Sequence, residues 1–237
     1  MKIHQTIIEI NEPKSQLNLY GYDEHFNLFK KLHESNRLPN VILLSGPKGS
    51  GKATFAHHFI NFLLSKNEPH KYAESNFKIN SLNNSYLQIQ NLIHPNFFSF
   101  ESGSDIENIK IDQIRDVQKF LNKSTYLSNK KFILLDNAEK LNLNSSNALL
   151  KSLEEPSPNT FFFVIHNSFN KLLDTIKTRC VEYKIHFNFA GKKIIFNKLL
   201  DTNNIKLNST LFENILNFET PGNLLRYSLI FGVDKID

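Results

Sequence analysis

Cysteine is nearly absent from this 237-residue sequence, in which Cys180 is the single thiol. One cysteine excludes an internal disulfide framework and a zinc site built on several thiolates, and it is typical of the reducing cytosol. Long apolar runs are also lacking, since no stretch approaches the ~20 apolar residues that span a bilayer. Residues 1–16 have no apolar centre of the kind found in signal peptides. We therefore expect a cytoplasmic protein that does not engage a membrane.

Tryptophan is missing altogether, whereas phenylalanine occurs 21 times, so we expect a core built largely from phenylalanine. The hydrophobic fraction of 40% and the charged fraction of 22% indicate a globular chain rather than a disordered one. A formal net charge of +5 is compatible with a polyanionic partner. Lysine and asparagine are, however, spread along the whole sequence, which favours a general compositional bias and argues against a stand-alone DNA-binding module.

Residues 41–44, 132–135 and 161–165 are short apolar runs, each bounded by turn-forming or acidic residues. Such runs are typical of parallel strands that are buried on both faces. The last one follows a turn at 156–159, where two prolines exclude a regular element. Helical patterning between the runs predicts an α/β fold with a parallel sheet flanked by helices. The polar segment 65–91 lacks clear periodicity before Tyr86, which predicts a loop or an insertion.

Beyond residue 187 the pattern changes to short amphipathic helices, which we predict at 192–200, 208–216 and 223–230. We therefore expect an α/β domain over residues 1–186 and a small helical domain over residues 187–237.

A phosphate-binding loop is predicted between the first strand and the helix that follows it. Gly46, Gly51 and Lys52 have the G-x-x-x-x-G-K spacing of the Walker A motif. Glycines let backbone N–H groups turn toward phosphate oxygens, the helix N-terminus adds positive potential, and the lysine neutralises the β and γ phosphates. The predicted nucleotide-binding residues of this loop are Gly46, Pro47, Lys48, Gly49, Ser50, Gly51, Lys52, Ala53 and Thr54.

The position after Lys52 departs from the motif of active enzymes. Serine or threonine there supplies a hydroxyl to Mg²⁺, and Ala53 has none. Thr54 is a poor replacement because one residue along a helix rotates the side chain by about 100°, so we expect it to face elsewhere. The expected consequence is ATP binding with weak coordination of Mg²⁺.

A second acidic motif, Walker B, is predicted where the run 132–135 ends at Asp136. This carboxylate is a candidate ligand of Mg²⁺ when nucleotide is bound. The next residue is usually a glutamate that polarises the attacking water, but here it is Asn137, whose amide cannot accept a proton. Glu139 lies further along, and we favour a solvated or capping role for it over that of a replacement base. With two catalytic groups altered, we expect poor hydrolysis.

Two further segments carry a resemblance to a known family. Residues 145–156, SSNALLKSLEEP, closely resemble the A-N-A-L-L-K-x-L-E-E-P segment of clamp-loader subunits of the AAA+ class. Residues 172–180, LLDTIKTRC, resemble the family's L-L-x-T-I-x-S-R-C segment. Residues 19–22 and 37–40 agree as well, so the resemblance runs from about residue 17 to 230. The family implied is the bacterial DNA polymerase III clamp loader, and the implied fold is an AAA+ sheet domain followed by a helical lid.

The resemblance implies roles for three more residues. Arg179 stands at the family's S-R-C arginine, a finger that acts in trans on the ATP of a neighbouring subunit, and Thr178 replaces the serine. Asn167, at the end of the third predicted strand, stands at the sensor 1 position, although a polar strand-end cap explains it equally well. Arg226 stands at the sensor 2 arginine and either contacts nucleotide or lies on a solvated helix face. The implied partners are the motor and delta subunits and, through the complex, the sliding clamp and primed DNA.

The sequence also departs from the family. Many members carry a four-cysteine zinc module, which this sequence lacks, and His57 and His58 are expected to point to different sides of their helix, so we predict no zinc. A C-terminal collar domain is expected to be absent. Altered Walker motifs beside an intact arginine finger favour a non-motor subunit that is catalytically silent or a weak ATPase by itself.

Two other functions are compatible with parts of the sequence. One is a self-sufficient AAA+ ATPase in replication or repair, in which Thr54 and Glu139 replace the missing groups. The other is a small-molecule P-loop kinase, which the Walker A motif alone permits. A kinase has no need of the segments 145–156 and 172–180, so we favour the clamp-loader subunit.

Overall fold

The computed structural model describes residues 11–100, 108–123, 130–205, 207 and 209–230. The strands there are β1 (Val41–Gly46), β2 (Phe97–Ser99), β3 (Lys131–Leu135), β4 (Thr160–Asn167) and β5 (Val181–Lys184). The α-helices are α1 (Asp23–Glu34), α2 (Lys52–Leu64), α3 (Asn84–Gln90), α4 (Ile111–Asn122), α5 (Leu143–Glu154), α6 (Asp174–Lys177), α7 (Phe189–Thr202), α8 (Ser209–Leu216) and α9 (Pro221–Ile230). Short 3₁₀ turns occur at Pro13–Ser15, Glu74–Asn76 and Ala138–Lys140.

The strands form one parallel sheet in the order β2-β3-β4-β1-β5. All three predicted runs are strands, and β1, β3 and the first six positions of β4 are buried at every residue. The turn predicted at 156–159 is confirmed: Thr160 N donates to Ser157 O at 3.1 Å, and Asn159 adopts a φ of 59°. The predicted α/β class is therefore confirmed.

Side chains on the two faces of the sheet enter separate apolar clusters. On one face, Ile42 and Leu44 of β1 pack with α1 and α2, whose largest buried side chains are phenylalanines. On the other face, Val41 and Leu43 pack with α4 and α5. The alternation follows from the period of two along a strand. The expected phenylalanine core is confirmed on the first face, where the ring centroids of Phe26 and Phe59 lie 5.6 Å apart.

The segment 65–91 is irregular up to residue 83 apart from the 3₁₀ turn Glu74–Asn76, as expected for a loop or an insertion. It ends in helix α3, whose first turn is capped by Asn83 Oδ1 accepting from Tyr86 N at 2.7 Å. Tyr72 and Ile79 are buried in the core, and Tyr72 Oη lies 3.0 Å from Nδ1 of His58. The segment therefore packs against α2. Its buried aromatic and aliphatic side chains are not periodic in the sequence, but they enter the core as the side chains of regular elements do.

The last three helices form a third apolar cluster of their own. Its buried members are Phe196, Ile205, Phe212, Leu216, Leu224 and Leu225. The three helices predicted from periodicity are confirmed in place, although α7 and α9 begin before the predicted residues. Asn188 caps α7 by accepting from Gly191 N at 2.8 Å, which explains the earlier start.

Candidate functional site

The loop between β1 and α2 has the backbone conformation that its glycines permit. Gly49 and Gly51 have φ values of +81° and +89°, in the left-handed region that other residues rarely adopt. Ser50 Oγ donates to Pro47 O at 2.9 Å and closes the turn from within. Gly51 of the motif and Gly49, which lies between the two motif glycines, thus permit a curved loop that ends at the first turn of α2.

Lys52 is folded back onto this loop. Its ammonium donates to Gly46 O at 2.8 Å and to Pro47 O at 2.7 Å, and its side chain is buried. Burial lowers the pKa of Lys52 to about 8, and the negative charges of Asp136 and Glu139 partly oppose this shift. Within the described residues, the Lys52 ammonium is thus bound by backbone carbonyl oxygens of the loop rather than by a carboxylate.

Tyr22 contacts the phosphate loop. It was not among the predicted site residues. Its hydroxyl donates to Ser50 O at 3.1 Å, and its ring stacks on Phe55 with centroids 4.9 Å apart. A Cβ at Gly51 would lie 3.3 Å from the Tyr22 ring, so the glycine also serves close packing. No short-range sequence signal reveals this contact, because it joins the segment before α1 to the loop.

The end of β3 provides the acidic side of the site. Asp136 Oδ1 accepts the N–H of Asn137 at 2.8 Å, and burial raises the pKa of Asp136 above its ordinary value. Asn137 has φ 54° and ψ 51°, a left-handed conformation that asparagine tolerates better than glutamate does. The local backbone therefore suits the residue that replaces the usual glutamate.

Glu139 makes a capping contact, which is one of the two roles expected for it from the sequence. Its carboxylate accepts from Asn167 N at 3.2 Å and from Asn170 Nδ2 at 3.4 Å, so it joins the 3₁₀ turn after β3 to the end of β4. The side chain is half-buried, and its charge reaches Lys52. Within the described residues, the carboxylates of Asp136 and Glu139 both lie at this edge of the sheet.

The start of α9 packs directly on the phosphate loop. Thr220 Oγ1 donates to Lys48 O at 2.7 Å, and Gly222 N donates to Gly49 O at 3.0 Å. A Cβ at Gly222 would lie 2.6 Å from Gly49 O, so only glycine permits this approach. The helical segment therefore contacts backbone oxygens of the loop through one side-chain hydroxyl and one backbone N–H.

A cavity of about 780 Å³ lies over the loop and collects most of the predicted site residues. Ala53 and Thr54 both line it. Other predicted residues in its wall are Lys48, Gly49, Ser50, Gly51, Lys52, Asp136, Asn167 and Arg226. Wall residues missed by sequence reasoning are Tyr20, Ile195, Leu199 and Leu225, which come from segments distant in sequence.

Arg179 lies apart from these residues, after α6. Its Nε donates to Glu154 Oε1 at 2.7 Å, and its Nη2 donates to the same oxygen. Nη1 donates to Thr175 O at 2.8 Å, one helical turn earlier. The guanidinium is thus bound at the junction of α5 and α6, whereas the phosphate loop and the Walker B residues line the cavity.

The cavity fits a nucleoside triphosphate. Its volume lies within the roughly 300–1,000 Å³ of ordinary ligand sites, and its wall combines a glycine loop, an ammonium group and the apolar side chains of Ile195 and Leu199. Asp136 is the carboxylate that would hold Mg²⁺ with the nucleotide. Ala53 offers that ion no hydroxyl.

Comparison with known proteins decides the family. A sequence profile of the family described as DNA polymerase III, delta subunit matches residues 21–188. This chain belongs to that family. The DNA polymerase III subunit delta' of Pseudomonas aeruginosa is 38% identical over 143 residues, which are 60% of this chain and 42% of that protein. The subunit delta' of Buchnera aphidicola subsp. Schizaphis graminum is 29% identical over 192 residues, 81% of this chain and 56% of that protein.

This member of the family thus spans about half the length of the curated relatives it matches. Among solved structures, a DNA polymerase III gamma subunit-related protein of Thermotoga maritima superposes with a TM-score of 0.56 at 20% identity. The superposition covers 87% of this chain and 59% of that one, and it establishes a shared AAA+ fold. Within the described residues, no helix is long and apolar enough to cross a membrane.

Proposed function

We propose that this chain is a clamp-loader subunit of the DNA polymerase III holoenzyme that acts in the cytoplasm. It takes its place beside motor subunits and the delta subunit, and the assembled complex loads the sliding clamp onto primed DNA. Membership of the family and two relatives named subunit delta' support this proposal.

The nucleotide site of the chain retains its binding parts and lacks two catalytic ones. The loop 46–54, with Lys52 and Asp136, holds ATP, and Arg226 and Asn167 complete the wall around the phosphates. Without a hydroxyl at Ala53 and a carboxylate at Asn137, Mg²⁺ is weakly held and the attacking water has no ordinary base. The isolated chain therefore binds ATP and hydrolyses it poorly.

The position of Arg179 carries the proposal. A guanidinium that served its own site would lie in the wall of the cavity, but Arg179 is bound to Glu154 and Thr175 at the α5–α6 junction. It is the phosphate ligand of a neighbouring subunit's site, for which arginine is suited by its permanent charge and its donors in a rigid fork.

The chain divides into two domains. Residues 1–186 form the AAA+ domain and residues 187–237 the lid, and the separate apolar cluster of α7, α8 and α9 supports this boundary. The lid is coupled to the nucleotide site by the hydrogen bonds of Thr220 and Gly222 to the phosphate loop.

The test is steady-state ATP hydrolysis by a reconstituted clamp loader with clamp and primed DNA. Replacing Arg179 by alanine is expected to slow the complex by the ~10³ typical of a lost arginine finger, and the isolated chain is expected to be inactive. A complex that keeps its full rate with Arg179→Ala would contradict the trans role.

A self-sufficient ATPase is the second candidate, and two observations favour it. Glu139 is half-buried and contacts the end of β4, and Thr54 lines the cavity. In this function Glu139 replaces the missing base and Thr54 the missing hydroxyl. Turnover by the isolated chain that is abolished by Glu139→Gln, with Arg179→Ala silent, would establish it.

A further inference from the structure

We infer that Glu154, the first glutamate of the segment LEEP, is a positioning residue that presents Arg179 to the neighbouring subunit. The inference rests on the proposed trans role of Arg179 and assigns the group that holds it. Glu154 is the last residue of α5, and its carboxylate contacts both Nε and Nη2 of the arginine.

Within the described residues, these contacts leave two N–H groups of the guanidinium to bind phosphate. Arginine has five N–H donors, arranged as a side fork of Nε with Nη2 and an end fork of Nη1 with Nη2. Glu154 occupies the side fork, and Thr175 O takes one N–H of Nη1 at 2.8 Å. Among the described residues, the one other contact of the guanidinium is a 3.5 Å approach of Nη1 to Thr178 Oγ1, at the outer limit of a hydrogen bond. One N–H of Nη1 and one N–H of Nη2 therefore remain to be offered to an oxyanion.

The support for the arginine is itself fixed. Ser146 of α5 and Thr175 of α6 join their helices through hydroxyls 3.2 Å apart, and Leu149, Leu153 and Ile176 are buried in one apolar cluster beneath them. Glu154 and Thr175 O thus approach Arg179 from two helices that are packed together. A long flexible side chain held in this way loses less freedom when it meets a phosphate, which is the benefit of preorganisation.

The exposed fractions of the Arg179 and Glu154 side chains agree with an arginine that is presented at the surface rather than buried. The side chain of Arg179 is 27% exposed and that of Glu154 is 48% exposed. Water screens a pair of this kind, so the carboxylate orients the guanidinium without cancelling its charge toward an incoming phosphate.

The experiment compares four variants in the reconstituted clamp loader: Glu154→Gln, Arg179→Ala, the double variant and Glu155→Gln. Glu155 is the matched control, because it is the adjacent exposed carboxylate on the same turn. We expect Glu154→Gln to lower kcat about twofold to fivefold, the range contributed by exposed ion pairs, with KM for ATP and the melting temperature unchanged. Glu155→Gln should match the wild type, and the double variant should equal Arg179→Ala because Glu154 acts only through the arginine.

Other outcomes separate the inference from the function on which it rests. An unchanged or raised kcat in Glu154→Gln, with a large loss in Arg179→Ala, would overturn the positioning role and leave the trans finger standing. A raised kcat would specifically mean that Glu154 holds the arginine back. If Arg179→Ala keeps the full rate, the proposed function fails and the inference fails with it. Should Glu154→Gln lower the melting temperature, Glu154→Asp restores the carboxylate and must recover part of kcat.

Discussion

Replacing Gly222 by alanine tests the contact between the lid and the phosphate loop. The added Cβ would lie 2.6 Å from Gly49 O and 3.2 Å from Gly49 Cα, whereas ordinary contact begins at 3.4 Å. The added Cβ would collide with backbone atoms of Gly49, so no side-chain rotation relieves the contact. Helix α9 must therefore withdraw by about 0.8 Å from Gly49 O, which weakens the bond from Gly222 N to that oxygen.

The cost of this withdrawal follows from overpacking and from the weakened hydrogen bond. Overpacking a close contact costs about 1–3 kcal/mol, and a hydrogen bond contributes about 1 kcal/mol. Alanine regains part of this through its better helix propensity, at most about 1 kcal/mol. We therefore expect Gly222→Ala to lower the free energy of unfolding by about 1–3 kcal/mol, as measured by urea denaturation followed by circular dichroism.

Gly191→Ala is the matched control in the other long helix of the lid. Its added Cβ would meet Asn188 Oδ1 at 3.2 Å, a side-chain atom that can shift by a few tenths of an ångström. We expect this variant to unfold within about 0.5 kcal/mol of the wild type, since the helix propensity of alanine offsets the tight contact. Equal stability of the two variants would show that α9 does not press on the phosphate loop and would refute the reasoning.

Two further predictions concern the nucleotide site. Because burial lowers the pKa of Lys52 to about 8 and bound phosphate favours its charged form, binding takes up a proton. ATP affinity should therefore be fully present at pH 7 and fall about tenfold by pH 9. Calorimetry that finds equal affinity at both pH values contradicts this. The Lys52→Met variant should bind ATP weakly, with an affinity that does not depend on pH over this range. Combining Ala53→Ser with Asn137→Glu restores both missing groups, so we expect the double variant to hydrolyse ATP and each single variant to stay at background. Since Asn137 is left-handed, the glutamate should also cost about 1 kcal/mol of stability; a double variant no faster than the single ones would mean that another group is missing.

The sequence by itself determined the central strands and the phosphate loop. Runs such as 41–44 are recognisable because a parallel strand buried on both faces must be apolar at every position. The loop is recognisable because its left-handed turns at Gly49 and Gly51 demand glycine locally, whatever surrounds them. In each case the residues that carry the signal are those that adopt the structure.

Only the tertiary structure decided which polar groups meet. Glu139, Glu154 and Glu155 look alike in the sequence, yet one joins the end of β4, one holds Arg179 and one is exposed. The partners lie 28 residues apart for Glu139 and 25 for Glu154, and Thr220 reaches the phosphate loop across 172 residues. A carboxylate or hydroxyl has no preferred partner in the linear chain. Its partner is fixed only when the order of the strands and the packing of the helices bring distant segments of the chain together. No local sequence pattern predicts that contact.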